Sequence, residues 1–164
     1  MKTKYYALLL ALFFFGFSAF LTAQTTSKEQ ETIKKEIRDA VGTIFTNLQK
    51  MDADALYRSY DDSPGFIQIT TDGAMFDFQN AKKFHASWFM TLSNLKAERV
   101  KDAFRFLPGN NVIYSWLGKL EMTTKQGIRL IANQFAITFI FSKTGSKWKV
   151  IHQQGSSLPP VPVK

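Results

Sequence analysis

Two side chains in this sequence are candidates for moving a proton near neutral pH, and both fall on strand-like stretches. In the segment 147–156, Trp148, Val150, His152, Gln154 and Ser156 alternate with Lys149, Ile151 and Gln153. Strict alternation marks a strand with two unlike faces. It predicts His152 and Gln154 on the side of Trp148 and Val150, where a neutral imidazole can bind a ligand or take a proton. The plainer reading has His152 holding strand ends by hydrogen bonds, because its own strand carries no carboxylate. Asp102 falls in step with Val100, Phe104 and Phe106, on what should be an apolar face. Burial there would raise its pKa and make it a general acid or a hydrogen-bond donor. A bulge or strand end turning it to water, or a pairing with lysine, is the structural alternative. His152 and Asp102 are thus the catalytic candidates.

Around them, Tyr57, Met75, Trp88, Tyr114, Trp116 and Gln134 join His152 and Gln154 as candidates for lining a pocket. Aromatic rings with a polar tip suit a cavity, although each serves equally as core. His85, near Trp88, is a candidate for the cavity mouth, with the edge of an amphipathic helix as the plainer reading. With two His and no Cys, a zinc site, disulfides and thiol chemistry are not expected. There is no Gly-rich phosphate loop and no nucleophile-elbow sequence. No cofactor is expected.

The elements that must position these residues are legible in order. Ile33, Ile37, Val41, Ile44, Phe45 and Leu48 recur at three- and four-residue steps behind a Ser27/Gln30 capping pattern. That predicts one long amphipathic helix to about Lys50. Asp52 caps a short second helix carrying Leu56, Tyr57 and Tyr60. Phe66 to Thr71 is a short strand closed by Asp72-Gly73. A third helix is expected over about 79–93, with Asp77 as its cap. Four long strands follow, 96–107, 111–124, 127–142 and 147–156, separated by Pro108-Gly109-Asn110, Lys125-Gln126 and Thr144-Gly145. Such short connections make an antiparallel meander. Three N-terminal helices and a curled antiparallel sheet give an α+β cone with one open end. The tail, Leu158 to Lys164, is too proline-rich to pair and is expected to lie extended on the surface.

The chain has 164 residues, enough for one domain with a real core, and its 45% apolar and 15% aromatic content argues against disorder. Residues 1–23 differ in kind. Lys2 and Lys4 precede an uncharged run from Tyr5 to Phe20, and Thr22-Ala23 stand before a polar stretch. This is the layout of a secretory signal peptide cleaved after Ala23. The alternative is an uncleaved anchor, and the absence of Cys excludes a lipoprotein. Cleavage would remove two lysines and no acids, taking the formal charge from +8 to +6. The lysines are scattered in pairs with no aromatic-basic module, so nucleic acid is not an expected partner. An exported domain, periplasmic or secreted and off the membrane after cleavage, comprises residues 24–157.

The run Trp148-Lys149-Val150-Ile151-His152-Gln153-Gln154-Gly155-Ser156 resembles the closing strand of SnoaL-like domains, within the nuclear transport factor 2-like superfamily. That strand commonly reads Trp-Lys, two apolar residues, His-x-His-x-Ser. Thr138, Lys143 and the segment 65–73 fit the same pattern. Gln154 stands at the family's second His, and Ala136 where a basic side chain is often found. Both departures count against an acid/base or anion-binding role through those positions. The resemblance implies a cone-shaped roll hosting either enzymes (isomerases, dehydratases, cyclases) or non-catalytic binding and assembly domains.

Three readings follow. The first is an exported domain that binds a small, largely apolar molecule in its cone and pairs as a homodimer through the outer sheet face. Ile131, Phe135, Ile137, Phe139 and Phe141, opposite in phase to Leu130, Gln134 and Thr138, are the expected outer residues, too apolar to face water. The second is an isomerase, dehydratase or cyclase using His152 and Asp102, which requires both side chains to reach one cavity. The third is an interaction module with a filled core, marked by an interior cavity below about 100 Å³ where ligand sites usually have several hundred.

Overall fold

A computed structural model describes residues 26–163; the N-terminal segment 1–23 lies outside them. The described residues fall into two units, 26–33 and 34–163. The first contains the start of helix α1 (Ser27–Gln49), where Thr26 Oγ1 accepts from Glu29 N at 3.3 Å. The cap therefore stands one residue before the expected Ser27. The second unit holds everything else.

Within it, α1 buries Ile37, Val41, Ile44, Phe45 and Leu48, the predicted stripe. Helix α2 (Ala53–Tyr57) is capped by Asp52, which accepts from Ala55 N. Strands β1 (Ile67–Ile69) and β2 (Met75–Phe76) form a small hairpin. Helix α3 (Phe78–Phe89) is capped by Asp77. It ends four residues before the expected limit, because Leu92 already pairs with Thr124 in the sheet. The long strands are β3 (Leu92–Leu107), β4 (Asn111–Thr124), β5 (Arg129–Thr144) and β6 (Lys147–Ser157). They form the antiparallel meander, in the order β2-β1-β6-β5-β4-β3, with β1 parallel to β6. The sheet is curved and unclosed, and with its N-terminal helices it makes the expected α+β cone.

One expectation about the tail is overturned. Val161–Pro162 is a strand, β7, paired with Leu130 and Ile131 of β5 beyond the point where β6 ends. Leu158 N donates to Gln134 O at 3.3 Å and Val163 N to Arg129 O at 3.0 Å. Proline is tolerated because this is an edge strand.

Four bulges interrupt the pairing of the long strands, one at the very start of β3 between Leu92 and Asn94, and the other three decide which side chains enter the cone. In β6 the partners of Phe141 and Ile140 are Val150 and His152, so Ile151 is an extra residue. A single extra residue flips every side chain beyond it. In β5 a second bulge lies between Ala132 and Phe135, and in β3 a third lies between Arg99 and Lys101. Inside, Trp116 stacks on Phe45 of α1 with ring centroids 4.6 Å apart, and Tyr114, Phe139 and Phe141 are fully buried.

The outer face is accordingly not the one expected. Phe135 lines the cone interior, while Ile137, Phe139 and Phe141 are core. Of the five expected outer residues, Ile131 alone faces outward, paired with Glu121 and with Val161. The outward row runs instead through Ile67, His152, Ile140 and Ile113, with Leu117 41% exposed nearby.

Candidate functional site

A cluster of polar residues inside the cone comprises Tyr57, Tyr60, Gln68, His85 and Gln153, each more than nine-tenths buried. Helix α2 and the turn after it supply the tyrosines, β1 supplies Gln68, α3 supplies His85 and β6 supplies Gln153. Gln153 enters because of the Ile151 bulge, which sets it opposite Phe139 and beside Gln68. The same stretch of β6 receives two segments along its free edge. Asp61 N donates to Val150 O at 2.9 Å, Val150 N donates to Ser59 O at 3.0 Å, and Ile67–Ile69 then pair with 152–154.

Hydrogen bonds order this cluster. Tyr57 Oη lies 2.9 Å from Gln68 Oε1 and 2.8 Å from His85 Nδ1, and Nδ1 also lies 3.2 Å from Ala81 O. A carbonyl oxygen cannot donate, so the approach of Ala81 O places the imidazole proton on Nδ1. Tyr57 Oη then accepts from His85 and gives its own proton to Gln68. Tyr60 donates to Gln153 Oε1 at 2.6 Å. Burial pushes the His85 pKa down to about 4, against a weaker upward pull from the Ala81 carbonyl, so the ring is neutral at pH 7. Burial likewise raises Tyr57 and Tyr60 far above the usual phenol range.

His85 and Gln153 line an interior cavity of about 60 Å³, walled otherwise by apolar side chains such as Phe45, Leu48, Leu120 and Phe135, with Trp88 and Tyr60. Below about 100 Å³, this cavity cannot enclose a whole ligand. Tyr114 and Trp116 are packed core. A larger groove of about 380 Å³ opens at the end of the sheet away from Trp148, lined by Leu120, Met122, Ala132, Phe135 and the tail residues Leu158, Pro159 and Pro160. Leu120 and Phe135 are walls of both spaces.

The expected site residues divide. Tyr57 and Trp88 face the interior, Tyr57 in the polar cluster and Trp88 on the cavity wall. Met75 is 66% exposed on the edge strand β2, and Gln134 is exposed within the β5 bulge. His152 and Gln154 lie on the outer face, since the Ile151 bulge reverses the alternation that places them beside Val150. Asp102 does sit on the inner face, opposite Trp116, but at the rim. Arg38 of α1 grips both its oxygens at 3.0 and 3.4 Å, Arg99 reaches it at 3.0 Å, and Tyr114 donates to it at 3.3 Å. These donors hold its carboxyl below the usual carboxylate range, the Arg38 hydrogen bond foremost, against the upward pull of partial burial. It is an ionised anchor for α1, not a buried acid. His152 and Asp102 therefore do not meet. Among the described residues no group of three His, Cys, Asp or Glu side chains gathers to hold a metal ion, and no helix is long and apolar enough to cross a membrane.

By sequence, no protein-family model and no curated protein matches the chain. By structure, many solved proteins do. A nuclear transport factor 2-like superfamily protein from Salmonella enterica serovar Typhimurium is 17% identical, with a TM-score of 0.71 over 79% of this chain and 94% of that one. A candidate scytalone dehydratase from Novosphingobium aromaticivorans is 7% identical, with a TM-score of 0.76 over 85% and 93%. A type 3 LinA hexachlorocyclohexane dehydrochlorinase from Novosphingobium barchaimii is 9% identical, with a TM-score of 0.72 over 84% and 94%. The fold is that of the nuclear transport factor 2-like superfamily.

Within that fold, the residues that sequence reasoning passed over are Tyr60, Gln68 and Gln153, while His85, expected at a helix edge, is buried in the cluster. Gln68 carries a visible mark, a polar side chain in the buried phase of an otherwise apolar short strand. His85 carries another, lying in line with Ala81, Trp88 and the apolar face of α3. Gln153 carries none, because only the bulge turns it inward.

Proposed function

We propose that this chain is an exported binding domain that takes a small, largely apolar molecule at the mouth of its cone. The observation that supports it most is the groove of about 380 Å³, which shares the wall residues Leu120 and Phe135 with the inner cavity. Its volume is in the range of ligand sites, whereas the cavity behind it is not. The notion of a ligand enclosed in the cone gives way to one lying across its mouth. An acid/base reaction through His152 and Asp102 is set aside, since one faces outward and the other is ion-paired at the rim.

The filled-core interaction module is the second reading, favoured by the small inner cavity and the packing of Trp116 on Phe45. Native mass spectrometry of the purified mature protein separates the two. A bound mass released on denaturation, or saturable uptake of N-phenyl-1-naphthylamine, supports the groove. Neither of these would leave the interaction module.

Export rests on the composition of residues 1–23, and N-terminal sequencing of the extracytoplasmic protein, beginning at Gln24, is its test. Homodimerisation rests on the outward row of Ile67, Ile140 and Ile113 with Leu117. Light scattering on Leu117→Lys would show a monomer where the unaltered chain shows a dimer.

A further inference from the structure

We infer that the molecule bound at this mouth is uncharged and ends in a hydroxyl, which reaches into the inner cavity, donates to His85 and accepts from Gln153. The inference rests on the groove reading and specifies its ligand.

With its proton on Nδ1, His85 presents Nε2 as a bare acceptor. Gln153 spends its carbonyl on Tyr60, which leaves its amide nitrogen as a donor. Among the described residues neither nitrogen has a bonding partner in the chain, and no fully enclosed side-chain nitrogen or oxygen lacks one. Both nitrogens therefore touch open space, and the space that their two side chains share is the inner cavity. One acceptor and one donor thus stand on a wall whose other members are aliphatic and aromatic side chains, Tyr60 and Trp88 among them.

A hydroxyl is the smallest group that answers both. A ketone or an ether accepts only, and would leave the imidazole unpaired. A carboxylate or an ammonium brings a charge, and no charged side chain lines the cavity to meet it. Size agrees. About 60 Å³ is the share of roughly two water molecules, enough for a hydroxyl and the carbon that bears it. The remainder of the ligand then lies against Leu120, Met122, Ala132 and Phe135 in the groove.

The test compares 4-propylphenol, 4-propylanisole and propylbenzene by isothermal titration calorimetry on the mature chain. The phenol should bind about tenfold or more tightly than its methyl ether, the discrimination expected when buried polar groups are left unpaired. Gln153→Met should bring the phenol down to the level of the ether and leave the ether little changed. If that variant does not fold, the comparison on the unaltered protein decides alone. Equal affinities for all three compounds would overturn the hydroxyl assignment and leave the groove reading standing. Binding of none would overturn both.

Discussion

Val150 and Gln153 are three residues apart in β6, yet both side chains lie on its inner face. Ile151 is the extra residue that brings this about, and His152 goes outward in consequence. Neighbouring glutamines therefore differ in their worth. Replacing Gln153 by Leu leaves the buried Tyr60 hydroxyl without its acceptor and should cost about 1–3 kcal/mol. Replacing exposed Gln154 by Leu should change stability by less than about 0.5 kcal/mol. Urea denaturation of the two variants checks this. A larger effect at Gln154 would mean that the bulge is misplaced.

His85 gives stability a dependence on pH opposite to that of a salt-bridged histidine. Its folded pKa is about 4, below the roughly 6.5 of an unfolded chain. The unfolded state thus binds the proton first, and stability falls as pH drops from about 6.5 to about 4. Above that window the term is constant. The loss should be on the order of 3 kcal/mol, and a melting series across the window measures it. His85→Phe should flatten the curve. An imidazole that titrates near 6.5 by NMR would contradict the buried, neutral ring.

Asp102 should prove structural. Asp102→Asn keeps the shape but weakens the hold on Arg38 and Arg99, both partly exposed. A destabilisation of about 1–2 kcal/mol is expected. Uptake of a groove ligand should be unchanged. The folded pKa of Asp102 is depressed, so this contribution is present above its unfolded value and disappears as pH falls through the folded one. Loss of binding at unchanged stability would restore a role for this carboxylate in the site.

Gly118 is fixed by its surroundings. A Cβ there would overlap the Glu98 carbonyl and the Trp116 ring. Gly118→Ala must displace backbone or the ring that stacks on Phe45, and should cost about 1–3 kcal/mol. Gly42→Ala, with open space at its Cβ, is the matched control. Thermal unfolding of the pair reads the difference.

What the sequence discloses is whatever depends on near neighbours. The stripe of α1, the caps Asp52 and Asp77, the four long strands and the turns at Gly109 and Gly145 follow from local spacing and backbone chemistry. The face presented by each strand does not, because four bulges intervene and each is set by pairing across the sheet. The β6 bulge lies where 59–61 and then 67–69 pair along its edge, a relation invisible from 147–157 alone. Asp102 shows the same limit. Its apolar phase is legible, but its arginine partner on α1 lies 64 residues away. The polar cluster draws on five segments that only the folded chain assembles.

The proline of β7 has a consequence for the company this protein keeps. Beyond the end of β6, the backbone of 129–131 would be a bare edge, and a bare edge recruits strands from other molecules. The residues on either side of Pro162 face β5: Val163 N bonds Arg129 O, and Val161 stands opposite Ile131. Pro162 itself turns outward and offers no N–H to a newcomer. The strand that covers this stretch of β5 thus offers a newcomer no N–H at its centre, and strand addition is disfavoured there.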